Sequence, residues 1–101
     1  MRLSPICISL LLTAASLCAQ PVLPLKVVPG WFRLPAGWSF GETASVAIDA
    51  RQHAYVVHRG AHPIIEFDQN GGFVRAFGDE LFDRAHSARF DPEGNLWIVD
   101  D

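Results

Sequence analysis

The sequence has little of what holds many small domains together. Its 101 residues include only two cysteines, Cys7 and Cys18, so residues 19–101 cannot form a disulfide among themselves. It also lacks a CxxC pair, a glycine-rich phosphate loop and a serine nucleophile elbow. Thiol redox enzymes, nucleotide-binding enzymes and α/β-hydrolases therefore have no sequence signature here.

Positive charge is also scarce. The chain has 8 Lys and Arg residues against 11 Asp and Glu residues, and the charges are interspersed. Because Arg2 lies near the N-terminus, the rest of the chain carries an excess of four acidic residues. No basic stripe is present, so we expect no nucleic-acid partner and no attraction to an anionic membrane surface.

Long apolar runs are absent except at the N-terminus. Arg2 is followed by an apolar run from Ile6 to Leu17 and then by small residues, which is typical of a secretory signal peptide. The run is shorter than the about 20 residues of a membrane span. We predict a signal peptide over residues 1–19, a secreted or periplasmic protein, and no stable membrane span after leader cleavage. A retained N-terminal anchor is the alternative.

Helical periodicity is missing beyond the leader. Residues 20–43 contain four prolines and the aromatic stretch GWFRLPAGWSFGE, which predict an extended lead-in that packs along a sheet edge. Four short strand-like runs follow, separated by turn residues such as QNGG. They are Ala44–Asp49, Ala54–His58, Pro63–Asp68 and Gly72–Gly78. Alternation in the last run predicts that Phe73, Arg75 and Phe77 lie on one face of the strand. The segment Asp79–His86 is predicted to be a helical turn or a loop.

The chain then repeats itself. SVAIDARQHAYVVH (Ser45–His58) aligns without gaps on SARFDPEGNLWIVD (Ser87–Asp100), at an offset of 42 residues. A period of 40–45 residues with four strands is typical of a β-propeller blade. We predict an all-β propeller fragment over residues 44–101, about one and a half blades, with one blade complete, the second truncated and the downstream blades missing. A complete small β-domain is the alternative.

Three blocks carry a resemblance to a known family. They are SVAIDARQHAYVVHRG (Ser45–Gly60), FDQNGGFVRAFG (Phe67–Gly78) and HSARFDPEGNLWIVDD (His86–Asp101). These blocks resemble NHL-repeat six-bladed β-propellers, and among them the peptidyl-α-hydroxyglycine α-amidating lyases and their bacterial relatives. The resemblance covers about Phe40 to Asp101, a quarter to a third of a full propeller.

The resemblance implies a site, residue by residue. Arg59 would lie at the active-site end of the central channel and bind the substrate. His86 would be one of three histidines that bind zinc, and the backbone carbonyls of Val46 and Ala88 would hold calcium. The implied reaction is N-dealkylation of a carbinolamide to a peptide amide and glyoxylate, with zinc acting as a Lewis acid on the substrate hydroxyl.

The sequence departs from the family around His86. The family usually has Pro-His-Gly where this chain has Ala85, His86 and Ser87, and the other zinc histidines and the catalytic tyrosine have no counterpart in the chain. Catalytic zinc takes three protein ligands and an open position. We therefore expect the 101-residue chain to be inactive by itself, and whether its parent is an enzyme stays open.

Simpler roles remain open for the same residues. Arg59 can cap carbonyls between blades, His86 can be a polar residue at the mouth of a strand, and His58 is expected to hold a loop. His53 and His62 lie in turns and are expected to face solvent.

The aspartates at the strand ends have a structural interpretation. Each is followed by a turn, where a carboxylate accepts bonds from backbone N–H groups. The carboxylates concerned are Asp49, Asp68 and Asp91. Tyr55 and Trp97 are equivalent in the repeat and are expected to pack between blades.

Two function classes follow. The first is a zinc- and calcium-dependent lyase of which this is the N-terminal part. The second is a non-catalytic secreted propeller that binds a protein or a small ligand through its loops and channel. Either class places a small-molecule or peptide ligand in the channel.

Overall fold

The computed structural model describes residues 20–101, and the predicted signal peptide lies outside the described residues. Within this range the chain forms six β-strands and no α-helix, which confirms the all-β prediction. Accordingly, no helix in this range is long and apolar enough to cross a membrane. The strands are β1 (Thr43–Ile48), β2 (Ala54–His58), β3 (Ile64–Phe67), β4 (Phe73–Phe77), β5 (Ala85–Phe90) and β6 (Leu96–Asp100).

The strands form two antiparallel sheets. β1–β4 make a four-stranded meander in the order β1-β2-β3-β4, and β5 and β6 make a two-stranded sheet. The central strands, AYVVH and IIEF, are near-continuous apolar runs, and every residue in both is buried. A strand of this kind must be covered on both faces. The lead-in and the second sheet supply the two covers.

The lead-in covers one face of the first sheet. Val56, Ile65 and Phe67 form the buried centre of this layer. The lead-in side chains packed against them are those of Trp31, Leu34, Trp38 and Phe40. The lead-in also reaches the sheet edge, where Arg33 makes a parallel bridge to Gly72, just before β4. The aromatic part of the lead-in thus packs on the face of the sheet as well as at its edge, whereas residues 20–30 stay exposed.

The second sheet covers the opposite face. Tyr55, Val57 and Ile64 are buried there, together with Ala85 at the start of β5. Phe90 of β5 packs edge-on against Tyr55, with ring centroids 4.9 Å apart. Burying aromatic and branched side chains between sheets is the main favourable term that holds the two sheets together.

The repeat in the sequence is a repeat in the backbone. In β1–β2, Val46 pairs with Val56, and the pairing is irregular between Thr43 and Ser45. In β5–β6, Ala88 pairs with Ile98, and the same irregularity falls between Ala85 and Ser87. Every paired position in the second hairpin equals the first plus 42. The two hairpins therefore share register and β-bulge.

A bulge between β3 and β4 corrects one sequence prediction. Alternation placed Phe73 on the same face as Arg75 and Phe77, but the register shifts between Glu66 and Phe67, which pair with Arg75 and Phe73. The extra residue turns Phe73 to the other face, because each residue added to a strand reverses the side-chain direction. Phe73 accordingly contacts Trp38 of the lead-in, at 5.4 Å between centroids.

Candidate functional site

Arg59, just after β2, links the starts of β1 and β5. Its backbone N–H donates to the Glu42 carbonyl at 2.8 Å, and its Nη1 donates to Glu42 Oε2 at 3.1 Å. Its Nε points to the Ala85 carbonyl at 3.4 Å, a long hydrogen bond. The guanidinium thus spans the two sheets, as expected for a residue that caps carbonyls between modules.

His86 lies beside this junction. It follows Ala85, whose carbonyl Arg59 contacts, and it is the residue left unpaired by the β5 bulge. Its equivalent in the first hairpin is Ala44, the residue left unpaired in β1. The His86 side chain is exposed and makes no hydrogen bond to residues 20–101. A bulge re-aims a side chain away from the ladder, so the imidazole is free to bind a ligand.

An open cavity of about 440 Å³ lies next to the junction. Arg59 and Ala85 line it, and His86 does not. The loop between β4 and β5 adds three acidic residues to its wall, namely Asp79, Glu80 and Asp83. Arg59 is the one arginine in this lining, which also contains two histidines and five apolar or glycine residues.

The carbonyls assigned to calcium lie along a second, larger groove. This groove of about 740 Å³ runs between β1 and β5 and is lined by Val46 and Ala88, among others. The Ala88 N–H donates to Ser45 Oγ at 3.1 Å. Because the N–H and C=O of one residue in an antiparallel strand point to the same edge, the Ala88 carbonyl lies on the edge that faces β1. The shared register places the Val46 peptide group on the corresponding free edge of β1.

His58 is a structural residue. Its ring is fully buried, Nδ1 accepts from the Gly41 N–H at 2.9 Å, and Nε2 lies 2.8 Å from the His62 carbonyl. The first bond requires a bare Nδ1, so the proton is on Nε2 and is donated to His62. Both nitrogens are used, which confirms that His58 holds its loop.

The other histidines are also engaged. Nδ1 of His62 lies 3.1 Å from Asp79 Oδ2, and its ring stacks on Trp38 at 3.9 Å. Nδ1 of His53 lies 2.8 Å from Glu66 Oε1, and its side chain is 18% exposed. The expectation that His53 faces solvent was wrong, because its turn folds back onto the sheet. Among the histidines of residues 20–101, His86 alone is left for zinc at the junction, one of the three histidines that the resemblance implies.

One cluster of titratable groups was missed by the sequence analysis. Oxygens or nitrogens of Asp49, His53 and Glu66 come within 4.8 Å of one another at the far end of the first sheet. A positively charged side chain, that of Arg51, already lies there. Nη2 of Arg51 lies 3.2 Å from Asp49 Oδ2 and 3.1 Å from Glu66 Oε1. The guanidinium occupies the place that a metal ion would take, so we do not assign a metal to this group.

Glu66 is the centre of that cluster. Its side chain is 1% exposed, and Arg75 Nε donates to its Oε2 at 2.6 Å. Burial by itself raises the pKa of Glu66, but hydrogen bonds from Arg75, His53 and Tyr55 outweigh it, and the pKa is lowered. The sequence contained a signal for this cluster, since Glu66 is the one charged residue in an otherwise apolar β3.

The turn carboxylates behave as expected. Asp49 Oδ1 accepts from the N–H groups of Arg51 and His53, at 2.8 and 2.9 Å. Asp68 does the same for its own turn. In the second hairpin a hydrogen bond from Trp97 Nε1, with backbone bonds from the turn, lowers the pKa of Asp91 to about 2. These three carboxylates stabilise turns, which confirms their structural interpretation.

No protein-family model matches the chain, and its sequence matches no curated protein.

Proposed function

We propose that this chain is the N-terminal part of a secreted, NHL-type β-propeller that resembles the peptidyl-α-hydroxyglycine α-amidating lyases. The observation that carries the proposal is the repetition of one hairpin, with the same register and the same bulge, in two successive sheets packed face to face. Repetition of this kind is the basis of propeller architecture.

The exposure of equivalent residues supports further modules. Tyr55 and Val57 are 4% and 0% exposed, because the second sheet covers them. Their equivalents, Trp97 and Val99, are 66% and 56% exposed. Trp97 was expected to pack between blades, and among residues 20–101 nothing covers it. A third module packed in the same way would bury this face, as the second buries the first.

The positions of Arg59 and His86 support the proposal. They lie at the same end of the module pair, since Arg59 contacts Ala85. Glu42, the current partner of Arg59, has a side chain that is 81% exposed. An exposed ion pair contributes little, so a substrate carboxylate can displace Glu42 from the guanidinium. The arginine fork then binds both carboxylate oxygens.

The metal sites are incomplete within residues 20–101. His86 supplies one zinc ligand, and the carbonyls of Val46 and Ala88 are two of the six to eight oxygens that calcium takes. We therefore assign no step to either metal in this chain, and we expect the chain alone to have no lyase activity.

The full reading frame gives the first test. It should encode further modules with two more channel histidines and a tyrosine. In the protein expressed from it, His86→Ala should lower the zinc content, measured by atomic emission. His62→Ala is the matched control, because His62 is held by Asp79 and Trp38 and should leave the zinc content unchanged. Unchanged zinc in His86→Ala would remove His86 from the site, and a full reading frame without the two further histidines and the tyrosine would favour the non-catalytic propeller.

A non-catalytic propeller that binds a ligand or a protein is the second candidate. The observation that favours it is the pairing of Arg59 with Glu42 and with the Ala85 carbonyl, which is sufficient to explain an arginine at this junction. If this candidate is right, Arg59→Lys should lower the free energy of unfolding, because the contacts with Glu42 and the Ala85 carbonyl are weakened, and the protein should have no lyase activity with or without the substitution.

A further inference from the structure

The turn between β3 and β4 contains a residue pair with a chemistry of its own. Asn70 is followed by Gly71, and the Asn70 side chain is exposed and makes no hydrogen bond to residues 20–101. In an Asn-Gly pair the backbone nitrogen of the glycine can attack the side-chain amide of the asparagine, because glycine has no side chain that blocks the approach. The pair that signals a tight turn is therefore also prone to deamidation.

The fold requires the glycine that makes Asn70 labile. Gly71 has a φ of +81°, and a Cβ at this position would overlap the carbonyl oxygen of Trp31. The other asparagine of the chain, Asn95, is followed by Leu96, whose side chain blocks the same attack. The Asn95 Nδ2 also donates to Asp91 Oδ2 at 3.0 Å. The chain thus contains one labile asparagine and an internal control.

The lead-in holds the labile turn closed. The Arg33 N–H donates to the Gly71 carbonyl at 2.9 Å, and Arg33 Nη1 donates to the Asn70 carbonyl at 2.9 Å. The Gly71 N–H itself donates to the Asp68 carbonyl at 3.0 Å. To attack, the Gly71 nitrogen must lose this proton, and the peptide group between Asn70 and Gly71 must rotate toward the side chain. The hydrogen bonds oppose both changes while the lead-in is docked.

We propose that Asn70 is a deamidation site that the docked lead-in protects, and that its modification makes release of the lead-in permanent. In the opened turn the Gly71 nitrogen loses its proton and attacks Asn70 Cγ, ammonia leaves, and a cyclic succinimide forms. Water then adds to one of the ring carbonyls. Addition at Cγ gives aspartate, and addition at the backbone carbonyl gives isoaspartate. The sum of the steps takes up water and releases ammonia.

Isoaspartate changes the main chain, because the chain then runs through Cβ and Cγ and gains one atom before Gly71. Gly71 fits closely against the Trp31 carbonyl, and Gly72 forms the bridge with Arg33. An added backbone atom shifts the register of these contacts, so they cannot re-form together. The inference concerns the lead-in and the first sheet, and it does not rest on the proposed function.

The rate of isoaspartate formation tests the protection. The full chain is incubated at neutral pH, both folded and in urea, and peptides labelled by an isoaspartyl methyltransferase are mapped. We expect isoaspartate at Asn70 and none at Asn95, with faster formation in urea. Arg33→Ala should speed the reaction of the folded chain about fivefold, because the reaction follows the open population and one hydrogen bond of about 1 kcal/mol is lost.

Arg89→Ala is the matched control, since Arg89 is an exposed arginine of β5, and it should react at the unmodified rate. Equal rates for the folded chain, the chain in urea and Arg33→Ala would overturn the protection. Absence of isoaspartate at Asn70 in urea would overturn the site itself.

Trypsin cleavage tests the consequence. The chain purified after modification is compared with Asn70→Asp, which has the same charge but a normal main chain. The modified chain should be cut after Arg33 several-fold faster than Asn70→Asp, because its Arg33 is no longer held. Cleavage after Lys26, which lies in an exposed segment, should be equal in both. Equal resistance at Arg33 would refute the claim that isoaspartate releases the lead-in.

Discussion

Single carboxylates set much of the pH response of this protein. Glu66, Asp49 and Asp91 each accept several hydrogen bonds, and the pKa of each is lowered in the folded chain. The causes differ. Glu66 is buried and paired with arginines, whereas Asp91 is held by Trp97 and by turn N–H groups. A lowered pKa means that the unfolded chain binds more protons than the folded chain over the same pH range.

Stability should therefore fall as the pH falls. The contribution of these carboxylates is fully present above their unfolded pKa values, near 4.5 for Glu66 and 3.8 for the aspartates, and is lost toward pH 2, where Asp91 titrates in the folded chain. Urea midpoints measured between about pH 6 and pH 2 should decrease steadily. Asp91→Asn should flatten the lowest part of this curve. Midpoints that do not change with pH would contradict the assigned hydrogen bonds.

Gly71 is a second residue on which the local structure depends. Its φ is +81°, and a Cβ at this position would overlap the carbonyl oxygen of Trp31. We expect Gly71→Ala to destabilise the chain by about 2–3 kcal/mol and to loosen the lead-in. Gly94→Ala is the matched control, because Gly94 has a φ of +88° but nothing within 4 Å of a Cβ. Urea unfolding followed by tryptophan fluorescence measures both, and equal losses would show that the Trp31 contact is irrelevant.

At the scale of strands, the bulge and the repeated hairpin decide which groups meet. The β1 bulge is repeated in β5, and a further bulge between β3 and β4 turns Phe73 toward the lead-in. Sequence alternation predicts faces only while the period of two is unbroken. For this reason the predicted face was wrong for Phe73, whereas Arg75 and Phe77 lie on one face of β4 as predicted.

The hydrogen bond between β1 and β5 can be tested with an internal control. Ser45→Ala removes the acceptor for the Ala88 N–H, which should cost about 1 kcal/mol. Ser87→Ala changes the equivalent residue, whose hydroxyl has no partner among residues 20–101, and should be close to neutral. The measurement is the free energy of unfolding in urea. An equal effect of both substitutions would argue against the inter-sheet bond.

At the scale of the whole molecule, stability comes from three layers. The lead-in, the first sheet and the second sheet pack in sequence, and the first sheet is buried because both neighbours are present. The outer face of the second sheet has no cover among residues 20–101, and Trp97 and Val99 remain exposed. Exposed apolar side chains that lie side by side in this way mark an interaction surface or an aggregation site.

Coupling between the sheets should depend on Phe90. Phe90→Ala removes the ring that packs on Tyr55, and we expect a loss of about 3 kcal/mol in unfolding free energy, at the low end for Phe→Ala because Phe90 is partly exposed. Ile48→Ala changes the equivalent position in β1, where the side chain is 53% exposed, and should cost about 0.5 kcal/mol or less. Comparable losses would mean that the second sheet does not stabilise the first.

Parts of the candidate site could be predicted from the sequence. The resemblance implied that Arg59 and His86 belong to one site, whereas the equivalence of His86 with Ala44 came from the register of the two hairpins. The pairing of Arg59 with Glu42 could not be foreseen, because the lead-in residue that meets it is set by how the chain enters β1. The Glu66 cluster was missed because its partners come from β4 and from the turn between β1 and β2, which only the folded sheet brings to β3.

The sequence alone determined the strands, the turns and the repeat, because these follow from local periodicity and from turn residues such as Asp49 and Asp91. Only the tertiary structure decided which faces were covered. Tyr55 and Trp97 are equivalent in sequence, yet one is buried and the other exposed. The difference has a physical reason, since burial depends on which second surface lies opposite a side chain, and local periodicity contains no information about that surface.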